Sequence, residues 1–344
     1  MRLCAATSRF LRPVAAVLGA CLLAAASPAL AAPASRLPQL ILSGPSAAVS
    51  TPLIHMVESG ALADLADKVE FVHWRDPDQL RAMALDGKAD ILTMPSSIAA
   101  NLYNRGASVT LLNVSTWGVL WMVSRSAEKK TLADFRGEEI AMPFRGDMPD
   151  IVFQLLATKR GLDPRKDFKL RYVATPIEAM QLLVMRRVDH ALLAEPAVSM
   201  ALRKTKSFPI GLIAPELHRS ADLQKEWGRL FNRPARIPQA GIAAIGALRE
   251  RPEILARIEA AYARSLGYCR AHADECGRMV AKRFEILTPE AVADAIAVSQ
   301  LDAVPAAKAR EELDFFFAQL LAHNPALIGG KMPADAFYAP PARP

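Results

Sequence analysis

The six histidines of this chain do not form a group that could bind a metal or act in catalysis. They stand at positions 55, 73, 190, 218, 272 and 323, and no two of them have HxH or HxxxH spacing. The sequence also has no GxSxG, P-loop or GxGxxG motif, each of which would indicate a nucleophile or a phosphate-binding loop. We therefore predict a protein that is not an enzyme and that uses no metal and no cofactor.

Two cysteines, Cys269 and Cys276, lie on either side of His272. Seven residues apart, they are too distant on one continuous helix to form a disulfide, but a turn near residues 271–273 would bring them together. Two small buried thiols are an equal alternative. A metal site that includes His272 is disfavoured, because a helix corner accounts for the spacing.

Polar and aromatic residues follow the apolar runs, where a predicted strand gives way to the next element. Ligands of open α/β sheets bind beyond the carboxyl ends of strands, where helix N-termini offer free amides. The candidate ligand-binding residues are therefore Ser43, Gly44, Ser46, Trp74, Ser96, Ser97, Ser115, Thr116, Trp117, Arg145, Asp147 and Glu195. Each serine or acid has the alternative role of stabilising a helix N-terminus, and each tryptophan that of packing.

Short apolar runs alternate with helical patterns over most of the chain, which predicts an α/β protein with mostly parallel sheets flanked by helices. Thr51 and Asp147 are expected to cap two of the helices. Residues 208–213 are predicted to form a strand, and residues 215–236 an irregular connection. From residue 250 onward the pattern is nearly all helical, over about 252–271, 274–284, 289–299 and 306–323.

Two stretches of the chain repeat the same pattern. Residues 85–91 (LDGKADI) and 184–190 (VMRRVDH) both end a helix and begin a strand with an aspartate. This echo predicts two similar lobes with a cleft between them. We expect Trp117 and Glu195 to face each other across that cleft, because both follow strand ends.

The N-terminus has the pattern of a secretory signal peptide over residues 1–31. Three arginines precede an apolar stretch, and Ala29-Leu30-Ala31 has small residues where signal peptidase cleaves. The alternative is lipidation at Cys21, which follows a lipobox-like Leu-Gly-Ala. Removal of the signal lowers the net charge of the 344-residue chain from +7 to +4, and the scattered basic residues do not favour nucleic-acid binding. We expect a periplasmic protein.

Several motifs in a fixed order resemble those of a known family. They are residues 85–91, Pro95-Ser96-Ser97, residues 103–107 (YNRGA), residues 132–141 (LADFRGEEIA), residues 159–164 (KRGLDP), Ala194-Glu195-Pro196 and residues 237–240 (IPQA). In this order the chain resembles the periplasmic solute-binding proteins of nitrate/sulfonate/taurine-type ABC transporters. The resemblance covers about residues 38–300.

The resemblance implies a two-lobe periplasmic binding fold of type II with a helical C-terminal part. Lobe I would comprise residues 38–122 and 237–344, and lobe II residues 123–214. It further implies a monomer that captures a small organic solute by hinge closure and delivers it to an ABC permease and ATPase complex in the inner membrane. An exported ligand-sensing domain and, with less support, an enzyme on the same fold are the alternatives.

The sequence departs from the resembling family after residue 142. Where relatives carry a Gly-Ser/Thr turn whose amides can hold an anion, this chain has Arg145-Gly146-Asp147-Met148-Pro149-Asp150. Two carboxylates there oppose a bound anion, although Arg145 offsets them in part. Nitrate and sulfonates are therefore doubtful ligands.

Overall fold

The computed structural model describes residues 36–214 and 216–339, which form two β-sheets with helices packed against them. The strands are β1 (Leu37–Gly44), β2 (Ala66–His73), β3 (Ile91–Pro95), β4 (Val109–Leu111), β5 (Asn113–Gly118), β6 (Leu120–Ser124), β7 (Glu139–Pro143), β8 (Lys169–Val173), β9 (His190–Ala194), β10 (His218–Asp222), β11 (Ala240–Ile245) and β12 (Gln300–Pro305). The α-helices are α1 (Thr51–Glu58), α2 (Pro77–Leu85), α3 (Ser96–Asn104), α4 (Met148–Lys159), α5 (Pro176–Val184), α6 (Ala197–Lys206), α7 (Ile210–Ile213), α8 (Leu223–Phe231), α9 (Pro252–Ala271), α10 (Ala273–Arg283), α11 (Pro289–Val298) and α12 (Arg310–His323). The predicted signal peptide and the alternative lipid anchor at Cys21 lie outside the described residues.

The two sheets divide the chain between them. The first has the order β12-β5-β11-β3-β1-β2 with β4 also paired to β11, and the second has the order β10-β6-β9-β7-β8. The chain passes to the second sheet after β5 and returns to the first at β11. Strands joined through helices pair in parallel, as β1 does with β2 and β3, and β7 with β8 and β9. Strands β6, β10, β11 and β12 pair antiparallel, so the sheets are mixed rather than mostly parallel.

The repeated aspartates tie strands together at the ends remote from the cleft. The Asp90 carboxylate accepts a hydrogen bond from the Ile41 amide at 2.7 Å, which joins the start of β3 to β1. Burial raises the pKa of Asp90, and the amide bond partly opposes that rise. In the second sheet the Asp189 carbonyl accepts a hydrogen bond from the Arg125 amide at 3.1 Å. The Asp189 carboxylate itself lies 3.6 Å from Arg125 Nε. The sequence echo thus places an aspartate before a strand in each sheet, but the two carboxylates have different partners.

The prediction for residues 208–236 is wrong in two respects. Residues 208–213, predicted as a strand, contain the helical turn α7, because Pro209 has no amide for a strand ladder. The irregular connection predicted for residues 215–236 instead contains the edge strand β10 and the helix α8. Asp222 caps α8 by accepting hydrogen bonds from the Gln224 and Lys225 amides. Strand β10 was missed because an edge strand needs only one apolar face, so its mostly polar sequence lacks the apolar run that predicts a strand.

The C-terminal region is helical as predicted, with one strand inserted into it. Strand β12 lies between the third and fourth predicted helices and pairs with β5. The last helix therefore begins at Arg310 and not near residue 306. Thr51 is the first residue of α1 rather than its cap, and Ser50 at the cap position makes no side-chain capping bond.

A disulfide joins Cys269 to Cys276, with the two Cα atoms 5.5 Å apart. The helical path breaks at His272, between α9 and α10, which brings the two cysteines together. Among the described residues, no cluster of His, Cys, Asp and Glu is arranged to hold a metal ion. Within the same residues, no helix combines the length and the apolar character that a membrane span needs.

Candidate ligand-binding site

A cavity of about 300 Å³ lies between the carboxyl ends of the two sheets. The first sheet contributes the turn after β1, the residues after β2, and the ends of β3 and β5. The second contributes the turn after β7, the start of α5 and the residues after β9. This is the position at which α/β sheets bind ligands, because helix N-termini and strand ends converge there.

Five of the twelve predicted ligand-binding residues line this cavity, namely Ser46, Trp74, Thr116, Asp147 and Glu195. The tertiary structure therefore brings together residues that are up to 149 positions apart in the sequence. Their contact with a ligand stays a prediction.

The other seven predicted residues do not line the cavity. Three serines are bonded within the scaffold: Ser43 donates to the Val72 carbonyl at 2.7 Å, Ser96 donates to the Pro238 carbonyl at 2.5 Å, and Ser115 bonds the Tyr262 hydroxyl at 2.7 Å. The Ser97 hydroxyl is buried without a partner, and Gly44 leaves no room for a Cβ beside the Ser50 hydroxyl. Arg145 extends away and lies over the Tyr172 ring at 5.0 Å.

Trp117 belongs to the scaffold rather than to the cavity wall. Its side chain is 1% exposed, and its Nε1 donates to the Asp302 carbonyl at 2.9 Å. The Arg236 guanidinium covers its ring at 4.5 Å. The expected arrangement of Trp117 opposite Glu195 across the cleft is therefore absent from the cavity lining.

The carboxylate of Glu195 is already neutralised within the protein. It accepts a hydrogen bond from Arg219 Nη2 at 2.6 Å and another from the Ser199 amide at 3.0 Å, and its side chain is fully buried. Arg219 also donates to the Ser199 hydroxyl at 2.9 Å. Glu195 thus faces the cavity as one half of an ion pair and not as a free acid.

Asp147 forms a second ion pair, and this pair joins the two halves of the molecule. Its carboxylate accepts a hydrogen bond from Arg81 Nη2 at 2.6 Å, and Arg81 lies on α2, beside the first sheet. Burial raises the pKa of Asp147, and the positive charge of Arg81 opposes that rise. The prediction that Asp147 caps α4 with its side chain is wrong, because the carboxylate bonds Arg81 instead.

The lining also contains residues that were not predicted, among them His73, Arg75 and Phe144. His73 packs edge-on against Phe284 at 4.7 Å, and both burial and the charge of Arg75 lower its pKa, so His73 is neutral near pH 7. His73 and Arg75 flank Trp74 at the end of β2, so the strand-end rule that selected Trp74 applies equally to them.

Phe144 adopts a backbone conformation that a bulky side chain rarely takes. Its φ is 56°, in the left-handed region, at the turn between β7 and α4. Such a conformation costs a bulky residue of order 1–3 kcal/mol and is retained where the surrounding structure requires it. No sequence signal indicates this position, because glycine or asparagine is the usual residue there.

Two sheets with a ligand-sized cavity between their strand ends define the two-lobe fold of the ABC-transporter periplasmic binding proteins. The resemblance found in the sequence is thus confirmed at the level of the fold. The family model described as menaquinone biosynthesis matches residues 50–298, and the chain belongs to that family. No curated protein matches the chain.

Solved structures of binding proteins are similar along nearly the whole chain. An ABC transporter protein from Parabacteroides distasonis has a TM-score of 0.70 at 22% identity, with 88% of this chain and 98% of that one covered. The periplasmic aliphatic sulphonate binding protein of Escherichia coli has a TM-score of 0.64 at 16% identity, with 86% and 92% covered. The periplasmic nitrate-binding protein of Synechocystis has a TM-score of 0.65 at 13% identity, with 84% and 82% covered. At such identities the likeness concerns the fold.

Proposed function

We propose that this protein is the extracytoplasmic substrate-binding protein of an ABC importer, and that it captures a small organic solute in the cavity between its two sheets. The observation that carries the proposal is the state of the charged groups there. Both carboxylates of the lining, Asp147 and Glu195, are held in ion pairs at 2.6 Å. A group that is already bonded within the protein holds the shape of a site but is poorly placed to move protons.

Hinge closure is the second part of the proposal. The Arg81–Asp147 pair joins a helix beside the first sheet to the N-terminus of a helix beside the second. Arg203 on α6 and Asp294 on α11 form another such bridge between parts of the chain that are 91 residues apart. The Arg203–Asp294 pair is exposed on both sides, where breaking an ion pair costs little. The Arg81–Asp147 pair is reached by water from its arginine side, and opening of the cleft would hydrate both of its partners, so both pairs suit a cleft that opens and closes.

The partners follow from this role. A periplasmic binding protein of an importer works as a monomer and delivers its ligand to an ABC permease and ATPase complex in the inner membrane. A genomic neighbourhood that encodes such a permease and ATPase would favour this reading over an exported ligand-sensing domain.

An enzyme is the second candidate, because the chain belongs to a family described as menaquinone biosynthesis. In the cavity, His73 has a pKa lowered by burial and by the charge of Arg75, so its neutral imidazole is free to accept a proton as a general base would. A pair formed by Ser124 and His190 at 2.9 Å, with Glu138 at 3.7 Å, resembles a hydrolytic triad. That pair lies at the opposite ends of β6 and β9 from the cavity, and the Ser124 side chain is fully buried.

Native mass spectrometry of the protein purified from the periplasm tests the proposal. We expect the protein to carry a small molecule that is recovered chemically unchanged after release and prolonged incubation with fresh protein. Conversion of that molecule to a product would refute the transport role and favour the enzyme, and His73→Asn should then abolish the conversion. A periplasmic protein that never carries or binds a small molecule would also contradict the proposal.

A further inference from the structure

Six prolines line the cavity, and they stand at the turns and helix starts that converge on it. They are Pro45, Pro77, Pro95, Pro149, Pro176 and Pro196. Helix N-termini bind anions through free amides. Proline has no amide hydrogen, so each of these positions has lost a donor that an anion would use.

Side chains use the amides that remain at three of these helix starts. Asp76 accepts hydrogen bonds from the Asp78 and Gln79 amides at the start of α2. Thr175 accepts one from the Glu178 amide at the start of α5. The first turn of α6 gives its Ser199 amide to the carboxylate of Glu195, as described above. These helix termini therefore have few donors left for a ligand.

The starts of α3 and α4 are closed in a similar way. The Ser96 amide donates to the Gln239 carbonyl at 2.9 Å, and the Asp147 amide donates to the Phe144 carbonyl at 2.9 Å. The Gly146 amide donates to the Asp150 carboxylate at 2.8 Å. In the turn where related proteins can offer amides to an anion, this chain thus places a carboxylate that takes the amide itself.

The charges around the cavity do not compensate for the missing donors. Arg81 and Arg219 each form an ion pair with a carboxylate of the protein, and His73 is neutral near pH 7. Arg75 is a lining cation, but its side chain is exposed at the rim, where water screens its charge. Burial of an anion here would leave its charge without an adequate partner, which is costly.

The walls of the cavity are apolar and partly aromatic. Trp74 is 4% exposed and its Nε1 is bonded to the Thr93 carbonyl at 3.3 Å, so its ring is available for contact while its donor is used. Phe144 is held against the cavity in its left-handed conformation. Among the described lining residues, Thr116 is the one with a buried side-chain oxygen that lacks a hydrogen-bond partner.

We propose that the ligand is an uncharged, mainly apolar compound of one or two rings, with one hydrogen-bonding group that Thr116 recognises. This inference rests on the proposed function, since it takes the cavity to be the ligand site. The volume of about 300 Å³ is at the lower end of the range for small-molecule pockets and suits a ligand of this size. An inorganic oxyanion or a sulfonate is disfavoured, because many of the helix-terminal amides that would hold it are missing or already bonded.

Matched pairs of probes test the charge of the ligand. Binding of phenol is compared with that of benzenesulfonate, and binding of 2-naphthol with that of naphthalene-2-sulfonate, by calorimetric titration of dialysed protein. We expect the neutral member of at least one pair to bind at least tenfold more tightly than its sulfonate. A sulfonate that binds as tightly as its neutral partner would overturn the proposal, and so would the failure of both neutral probes to bind.

Variants of the walls test the two contacts. Phe144→Leu keeps apolar volume but removes the ring face, and Thr116→Val keeps the shape but removes the hydroxyl. Each should weaken binding of the neutral probe by about 2- to 12-fold. The control is Phe208→Leu, because Phe208 is 84% exposed and remote from the cavity. Equal affinities of all three variants and the wild type would refute the assigned contacts.

Failure of this inference can be told apart from failure of the proposed function. If the probes fail but native mass spectrometry finds a charged ligand that is released unchanged, the transport role stands and the ligand class is wrong. If the bound molecule is converted to a product, the transport role fails whatever its charge.

Discussion

The Arg81–Asp147 ion pair is the contact whose removal should reveal most about how the two halves of the molecule are held together. We consider Arg81→Gln, which removes the positive charge and keeps a long polar side chain. The side chain of Asp147 is 11% exposed, whereas the side chain of Arg81 is 36% exposed. The variant therefore leaves a nearly buried carboxylate without its ion-pair partner.

The expected cost lies between two limits. Removing one partner of a fully buried ion pair costs about 3–5 kcal/mol. An exposed pair contributes about 0–1 kcal/mol. Water reaches this pair from the arginine side only, so we expect Arg81→Gln to lower the free energy of unfolding by about 1–3 kcal/mol at pH 7. Asp147→Asn should cost less, because the arginine it leaves behind is partly solvated.

The cost should depend on pH in a defined direction. Burial raises the pKa of Asp147 above its ordinary value of 3.8. The folded state therefore binds the proton more tightly than the unfolded state, and stability falls as pH rises through the folded-state pKa. Loss of Arg81 removes the opposing charge and raises that pKa further. The effect of Arg81→Gln should thus be largest at pH 7 and should shrink towards pH 4, where the carboxyl group becomes protonated.

Urea unfolding of the wild type, both single variants and the double variant at pH 7 and pH 4 measures these quantities. Lys88→Gln is the control, because its ion pair with Asp86 is exposed and should leave stability unchanged. The double variant should recover most of the loss caused by Arg81→Gln, since no charge remains unpaired. If Arg81→Gln unfolds like the wild type at pH 7, or if its effect is the same at both pH values, the assigned role of the pair is wrong.

Three further predictions concern the scaffold and the N-terminus. Trp117→Ala should lower the free energy of unfolding by about 3–5 kcal/mol, because the indole is 1% exposed; urea unfolding unchanged from the wild type would contradict its burial. Thiol labelling of denatured, non-reduced mature protein should find no free thiol at Cys269 or Cys276, and reduction of this short loop should cost about 2 kcal/mol in a denaturant titration. N-terminal sequencing of the exported protein should begin at or near Ala32, and a lipid-modified N-terminus would refute the predicted cleavage.

The sequence by itself was sufficient for the fold class and for most of the elements. Local signals carry this information: proline opens α9 and α11 at Pro252 and Pro289, and both bounds were predictable to within a residue or two. The repeated aspartates of residues 85–91 and 184–190 indicated two lobes, because each of them directly precedes a strand, one in each sheet. Where the local signal was weak, as in the polar edge strand β10, the prediction failed.

The strand-end rule also found five of the cavity-lining residues, but it could not separate them from seven others. Whether a serine or tryptophan after a strand reaches the cleft depends on the direction of its side chain and on distant partners. Ser115 is bonded to Tyr262, 147 residues away, and Trp117 to Asp302, 185 residues away. Such partners are set by the packing of whole elements, which no local pattern specifies.

The chemistry of the site was decided by the tertiary structure alone. In the sequence, Asp147 and Glu195 are two acids and six prolines are scattered over 152 residues. In the fold, both acids meet arginines and all six prolines meet at one cavity. Charge neutralisation and the loss of amide donors are properties of distances between groups, and those distances exist only after the two sheets have been brought face to face.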